Sequence, residues 1–347
     1  MNYIENRIKR TKPRLVVICG TLYPDPSPTG LCSLRYASLL RDEYDIEFIS
    51  ISCNGKQALE TYDGFPVHTL SSKLLSLEYK LSGTLRKLAH LVGSSKLKTS
   101  ILGNLGWYAE AVFQKLEKIH SERSIDAIPT ICSPFPSHIA GAKFKEAHPE
   151  IRFVAYTVDP FAASDRIIPY FHRFKDLVEL ERNVCSKADC LLLSEEAINY
   201  RQDIYGEIPN KMALPDLLPE VKEIQARIYD DDQIHCEYAG RFYKDIRNPE
   251  YMLKVFAALK NKKIILHLYS TGCDEMVRKY AAMSSQIQLH GYVSQEELQQ
   301  AYASCDFLIG VGNSMYDFLP SKTYEYLSLR RSIVFFNPQG YTNNVLE

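Results

Sequence analysis

The chain has 347 residues, 46% of them hydrophobic and 24% charged, which is ordinary globular composition with length enough for two domains that each bury a core. A formal net charge of -1 and a pI near 6.8 argue against nucleic acid as the main partner, so any basic surface must be local. Nine dispersed cysteines without a C-x-x-C pair, several inside apolar runs such as "LVVIC" and "IHCEYAG", read as reduced core thiols and not as a disulfide framework or a zinc site.

In chain order, "MNYIENRIKRTKPR" leads into a strand instead of a signal-peptide apolar region, and no stretch approaches the roughly 20 apolar residues that span a bilayer. A cytoplasmic protein is expected. Short β-rich runs then alternate with helical patterns: "RLVVIC", "DIEFISIS", "DAIPTIC", "RFVAYTV" and "DCLLLS", followed by "IHCEYAG", "KIILHLYS", "IQLHGYV", "DFLIGVG" and "SIVFF". Near-continuous apolar strands separated by helices predict parallel sheets covered on both faces, a doubly wound α/β protein.

Residues 71–100 differ from their surroundings. Lys73, Lys80, Arg86, Lys87, Lys96 and Lys98 are opposed only by Glu78, with leucines recurring between them at spacings near three and four. Such a stretch could be an amphipathic helix resting on anionic headgroups at the inner face of the cell membrane, or a surface helix packed on the first domain.

The alternation breaks at "ALPDLLPEVKEIQARIYDDDQ". This divides the chain into an N-terminal domain over 1–213, a linker over 214–232 and a C-terminal domain over 233–347. Ligands of doubly wound sheets bind outside the carboxyl ends of the strands, so two facing domains imply a cleft between them.

In the second domain "EYAGRFYKDIRNPEY" places Gly240 and Arg241 at a strand end, where a glycine admits close backbone approach and a guanidinium fork can grip phosphate oxygens. Lys244 and Arg247 follow in the loop. Further on, "YDFLPSKTYEYL" puts Lys322 in the first turn of a helix that starts at Ser321, an end that already carries positive potential. An anion held there, such as a nucleotide phosphate, would give the cation a reason. Asp317 and Glu325, separated by seven residues, flank Lys322 on the loop and on the helix. No D-x-D signature stands in a convincing loop; the acidic run "YDDDQ" lies in the linker, and no metal is expected.

With Gly240-Arg241, the His290-Gly291-Tyr292-Val293 loop and the D-x7-E pattern from Asp317 to Glu325, the second domain resembles retaining, nucleotide-sugar-dependent glycosyltransferases of the GT-B architecture, in particular the large family four. "PSKTYEYLSLRRSIVF" is similar to its "PSK-x-x-EYL" subgroup, which builds bacterial surface polysaccharides. "TLYPDPSPTGLCSLRYASLL", "CSPFPSHIAGAKFK" and "VAYTVDPF" agree more loosely in the first domain.

The resemblance implies two Rossmann-like domains facing across a cleft, with a nucleotide-diphosphate sugar in the second and a saccharide or lipid-linked acceptor entering from the first, past Gly30, His138 and Asp159. It implies that Arg241, Lys322 and the helix start at Ser321 stabilise the leaving diphosphate. Asp317 would hold the transferred sugar and Glu325 the ribose, and the backbone of His290 to Val293 would border the base. Three features depart from the family pattern. Asp317 is one methylene shorter than the usual glutamate, Lys244 and Arg247 compete for one lysine role, and the chain ends at "NPQGYTNNVLE", before the last strand and crossing helix of that architecture. Two other readings share the architecture: a nucleotide-sugar epimerase, and a non-catalytic nucleotide-sugar-binding protein.

Overall fold

The computed structural model describes residues 12–22, 26–52, 60–71, 103–132, 134–162, 174–214, 229, 231–313 and 321–337. Asp317 and nearly all of the basic stretch and the linker lie outside the described residues. The chain divides into two compact units, Met1–Leu217 and Leu218–Glu347.

The first unit holds an eight-stranded sheet. Its strands are β1 (Arg14–Ile18), β2 (Asp45–Ser52), β3 (Thr61–Tyr62), β4 (Phe65–Ser71), β5 (Ala127–Cys132), β6 (Arg152–Thr157), β7 (Cys190–Leu193) and β8 (Lys211–Ala213). They lie in the order β3-β4-β2-β1-β5-β6-β7-β8. All neighbours are parallel except the β3–β4 hairpin, whose turn residues Asp63 and Gly64 both take positive φ, as a tight hairpin turn requires. The central strands are buried on both faces, as their unbroken apolar runs demand: Val16, Val17, Ile18, Phe48, Ile49, Ile128 and Ile131 are all excluded from solvent. Helix Pro28–Leu40 packs on the side of Val17, Phe48 and Phe65, and helices Gly103–Glu122 and Pro136–Ala147 pack against each other.

The second unit holds a five-stranded parallel sheet of β9 (Ile234–Arg241), β10 (Ile264–Thr271), β11 (Ile287–Leu289), β12 (Phe307–Val311) and β13 (Ser332–Phe336), ordered β11-β10-β9-β12-β13. One face packs Tyr238, Leu266 and Ile309 on helices Glu250–Ala258 and Asp274–Met283. On the other face Ala239 and Leu308 meet Tyr302 and Tyr326 from helices Gln295–Ser304 and Ser321–Ser328. The first of these two helices begins with a capping box between Ser294 and Glu297, which satisfies two of its end N–H groups.

Strand order reverses between β9 and β12. Those strands pair only through Phe307↔Cys236 and Leu308↔Glu237, so their carboxyl ends diverge, and such a switch point is where doubly wound sheets leave a crevice for ligands. All ten strand segments expected from sequence are present. The structure adds β3, β4 and β8, which are short or interrupted by Pro66.

Candidate functional site

The carboxyl end of β9 is held by a tyrosine from a distant helix. Tyr326, 1% exposed, accepts the Ala239 N–H at 2.9 Å and donates to the Ala239 carbonyl at 3.3 Å, supplying both bonds that a neighbouring strand would otherwise make. This brings the first turns of helix Ser321–Ser328 to the strand end that bears Gly240 and Arg241. Gly240 has φ +149°, a region essentially reserved for glycine, and a Cβ there would stand 3.2 Å from the Tyr238 hydroxyl. Beyond it Arg241 is exposed, its guanidinium 5.6 Å from the centre of the Tyr243 ring.

Lys322 and Glu325 meet directly. The Lys322 ammonium donates to Glu325 Oε2 at 2.6 Å and to the Tyr302 hydroxyl at 3.1 Å, and Gln299 Nε2 donates to Glu325 Oε1 at 3.3 Å. An ammonium has three N–H donors and described residues engage two, which leaves capacity for one more acceptor. The pair is only partly exposed, with side chains at 29% for Lys322 and 10% for Glu325. Buried Tyr302 backs it, and burial raises the pKa of the Tyr302 phenol well above its ordinary value, so the ring stays a neutral hydrogen-bond partner. Ser321 begins this helix.

The loop after β9 separates the two competing basic residues. Tyr243 and Arg247 exchange backbone hydrogen bonds, and the Arg247 guanidinium spends Nε and Nη2 on Asn313 Oδ1 at 3.1 and 2.9 Å, bracing the ends of β9 and β12. Lys244 is exposed. The structure thus ties Arg247 into the loop and leaves Lys244 at its surface. His290, Gly291 and Tyr292 form an exposed loop after β11; Gly291 has φ +71° and Tyr292 is 79% exposed.

At the carboxyl edge of the first sheet, Gly30 sits in the first turn of helix Pro28–Leu40, where a Cβ would lie 2.3 Å from the Thr21 carbonyl oxygen. Asp159 is exposed after β6. His138 is fully buried, with Nδ1 2.7 Å from the Thr130 hydroxyl and Nε2 3.1 Å from that of Thr157, and desolvation pushes its pKa down to about 3. Both nitrogens are engaged, so this ring offers no atom to a ligand and serves to fix its helix on β5 and β6.

Sequence reasoning passed over Glu181. Its buried carboxylate accepts the Phe161 and Ala162 N–H groups and the Tyr205 hydroxyl, at 2.8, 2.8 and 2.7 Å, and Phe161 stacks on Phe135 with centroids 4.3 Å apart. The loops after β5 and β6 are thereby fixed together. Tyr326 was missed as well, because a tyrosine on an apolar helical stripe reads as core. The signal that could have found Glu181 is a lone acid on the apolar stripe of "LVELERNV".

Among the described residues, His120, His148 and Glu150 bring candidate metal-ligand atoms within 4.8 Å of one another. His120 Nδ1 accepts the Ile125 N–H at 3.2 Å, which puts the neutral ring's proton on Nε2, and His148 Nε2 lies 2.8 Å from Glu117 Oε1. These contacts are those of a hydrogen-bonded helix junction. No helix among the described residues is long and apolar enough to cross a membrane, and Cys19, Cys132, Cys185, Cys190, Cys236, Cys273 and Cys305 are free thiols.

No protein-family model matches the chain, and no curated protein matches it either. Solved structures do. A sucrose-phosphate synthase from Thermosynechococcus elongatus superposes with a TM-score of 0.63 at 12% identity, covering 94% of this chain and 81% of that one. An alpha,alpha-trehalose-phosphate synthase (UDP-forming) from Burkholderia xenovorans, in complex with glucose-6-phosphate, gives 0.60 at 11% identity over 97% of this chain and 87% of the other. A protein of Listeria monocytogenes assigned as a UDP-N-acetylglucosamine 2-epimerase gives 0.56 at 9% identity over 97% and 81%. At these identities the likeness shows the fold: two parallel-sheet, Rossmann-like domains matching GT-B structures. That fold is shared by retaining glycosyltransferases and UDP-N-acetylglucosamine 2-epimerases.

Proposed function

We propose that this chain is a retaining glycosyltransferase of the family-four kind, which moves a sugar from a nucleotide-diphosphate sugar to a saccharide or lipid-linked acceptor in the synthesis of a bacterial surface polysaccharide. The observation that carries the reading is the Tyr326–Ala239 tie, which sets Lys322 and Glu325 beside the strand end bearing Gly240 and Arg241. Diphosphate departure gathers negative charge while the sugar turns oxocarbenium-like, so fixed positive charge at the phosphates lowers the barrier. Arg241, Lys322 and the helix start at Ser321 supply it, and Lys244 adds a further cation. Gly240 lets the backbone approach the diphosphate. Glu325, held in place by Gln299 and Lys322, accepts from the ribose hydroxyls, and Asp317 from the transferred sugar. The loop of His290, Gly291 and Tyr292 borders the base. Acceptor binding falls to the first unit, beside Gly30 and Asp159, with His138 holding the local backbone. The transfer needs no resident metal in this reading, and contact with the inner membrane surface is assigned to residues 71–100.

The epimerase reading is kept alive by the Listeria monocytogenes fold match. Product analysis separates it from transfer. Nucleotide sugars incubated with and without candidate acceptors should give a new glycosidic bond and free nucleoside diphosphate only when an acceptor is present. A changed sugar configuration without acceptor would establish the epimerase, and binding without turnover against any acceptor would establish a non-catalytic nucleotide-sugar-binding protein.

A further inference from the structure

The amino edge of the first sheet, opposite the edge where Gly30 and Asp159 lie, holds a cavity of about 580 Å³ that the proposed reaction does not use. That size is ordinary for a small-molecule site. The eight residues of β2 separate the two edges by roughly 25 Å. Topology builds the cavity. Parallel strands β1, β2 and β4 begin side by side, so Lys12 ahead of β1, Asp45 at the start of β2 and Phe65 at the start of β4 reach one rim. Arg41 and Arg123 come to the same rim from the ends of helices Pro28–Leu40 and Gly103–Glu122. The β3–β4 turn borders it: Asp63 and Gly64 take φ of +51° and +80°, and a Cβ on Gly64 would meet nothing within 4 Å.

The charges on this rim divide into spent and unspent. Arg123 pairs with Asp45 at 2.6 Å, and neighbouring Arg14 gives its guanidinium to Glu47 and to the carbonyls of Ile119 and Arg123. Lys12 donates to the Arg41 carbonyl at 3.0 Å, where a cation answers the open carbonyls of a helix end. Described residues thus engage one of its three N–H groups. The Arg41 guanidinium makes no hydrogen bond to a described residue. It lies over the Phe65 ring, 4.9 Å from the centre, which holds it beside the cavity, and the carboxylate oxygen it approaches, on Asp63, is 3.9 Å away. That gap exceeds hydrogen-bond reach, so the Asp63 carboxylate keeps its acceptor capacity. Three cations against two carboxylates leave one positive charge in excess.

We propose that this cavity binds a sugar acid, a saccharide ring bearing one carboxylate. The excess charge matches one carboxylate, and Arg41 offers the planar fork of donors that grips such a group, with Lys12 as a second cation. An inorganic anion would use those two alone. A sugar ring uses the rest: its hydroxyls donate to Asp63, and its C–H surface meets the apolar part of the wall, formed by Tyr44, Ile46 and Pro66. The acid arrives free or as one residue of a saccharide chain, and the recognition chemistry is the same. The site does not depend on the donor-site reading; binding of a chain residue would connect it to the proposed transfer.

Calorimetric titration of the whole chain with glucuronate, glucose and acetate tests the site. Glucuronate should bind more tightly than either, because glucose lacks the anion and acetate lacks the ring hydroxyls. Arg41→Gln and Lys12→Gln remove charge at exposed positions, so both should melt as the wild type does without ligand. Each should weaken glucuronate by about tenfold or more, the worth of a charge-assisted hydrogen bond. Lys322→Ala should bind glucuronate as the wild type does, which separates this cavity from the donor site. A glucuronate-containing oligosaccharide identifies the source: tighter binding than the free acid supports a chain residue, and binding of the free acid alone supports the free form. No binding of glucuronate, acetate binding as tight as glucuronate, unchanged affinity in either charge variant, or loss of binding in Lys322→Ala overturns the proposal. Glucuronate binding in a chain that binds no nucleotide keeps this site and loses the donor-site reading, and nucleotide binding without glucuronate binding does the reverse.

Discussion

The Tyr326 hydroxyl bonds both the N–H and the carbonyl of Ala239, so one side chain closes the ladder of β9 where β12 has turned away. A strand end at a switch point would otherwise carry an unpaired donor and acceptor inside the protein. Tyr326→Phe keeps the ring and removes both bonds. It should destabilise the second unit by about 1–3 kcal/mol, the usual cost of buried polar groups left unsatisfied, and should loosen Gly240 and Arg241 with it. Denaturant titration reads the loss; a midpoint equal to that of the wild type would show that the hydroxyl is replaceable.

The proposed reaction assigns Lys322 to the leaving diphosphate. Lys322→Ala should lower the transfer rate by roughly 10²-fold or more, on the scale of other preorganised electrostatic donors. Steady-state kinetics on the identified donor checks this, and an unchanged rate would remove Lys322 from the mechanism.

Gly240→Ala tests the close approach at the strand end. A side chain at φ +149° is strained by about 1–3 kcal/mol, and its Cβ would lie in contact with the Tyr238 hydroxyl. A lowered melting temperature together with weakened nucleotide binding is expected, with thermal shift reading both. A melting curve matching the wild type would mean that the backbone adopts an ordinary conformation there.

The buried imidazole of His138 predicts an acid weakness in the first unit. Its folded pKa, about 3, lies below the 6.5 of a free ring, so the unfolded chain takes up the proton first. The stability it contributes is complete above about pH 6.5 and is lost as pH falls toward 3, with a slope of up to about 1.4 kcal/mol per pH unit. His138→Gln, which can still bond Thr130 and Thr157, should flatten that slope in denaturation curves taken from pH 7 to 4. The same slope in the variant would place the acid sensitivity elsewhere.

The fold was legible because parallel strands buried on both faces leave unbroken apolar runs, and each such run proved to be a strand. The β3–β4 hairpin escaped notice although Asp63-Gly64 is a turn signal, because β3 is two residues long and Pro66 interrupts β4. The motif residues of the second unit were legible from local chemistry: a glycine before an arginine, a lysine at a helix start. Tyr326, Glu181 and the hydrogen-bonded contacts of His267 with His235 and His290 were not. Each acts through a partner 20 or more residues away, and only the sheet register or helix packing brings those partners together.

The most direct test of the central claim is calorimetric titration of nucleoside diphosphates and nucleotide sugars into the wild-type chain, Lys322→Ala and Glu325→Ala. The account predicts that one nucleotide family binds the wild type and that both variants weaken it at least tenfold. Equal affinity in all three proteins, or no binding by any nucleotide, would contradict a donor site at the end of β9.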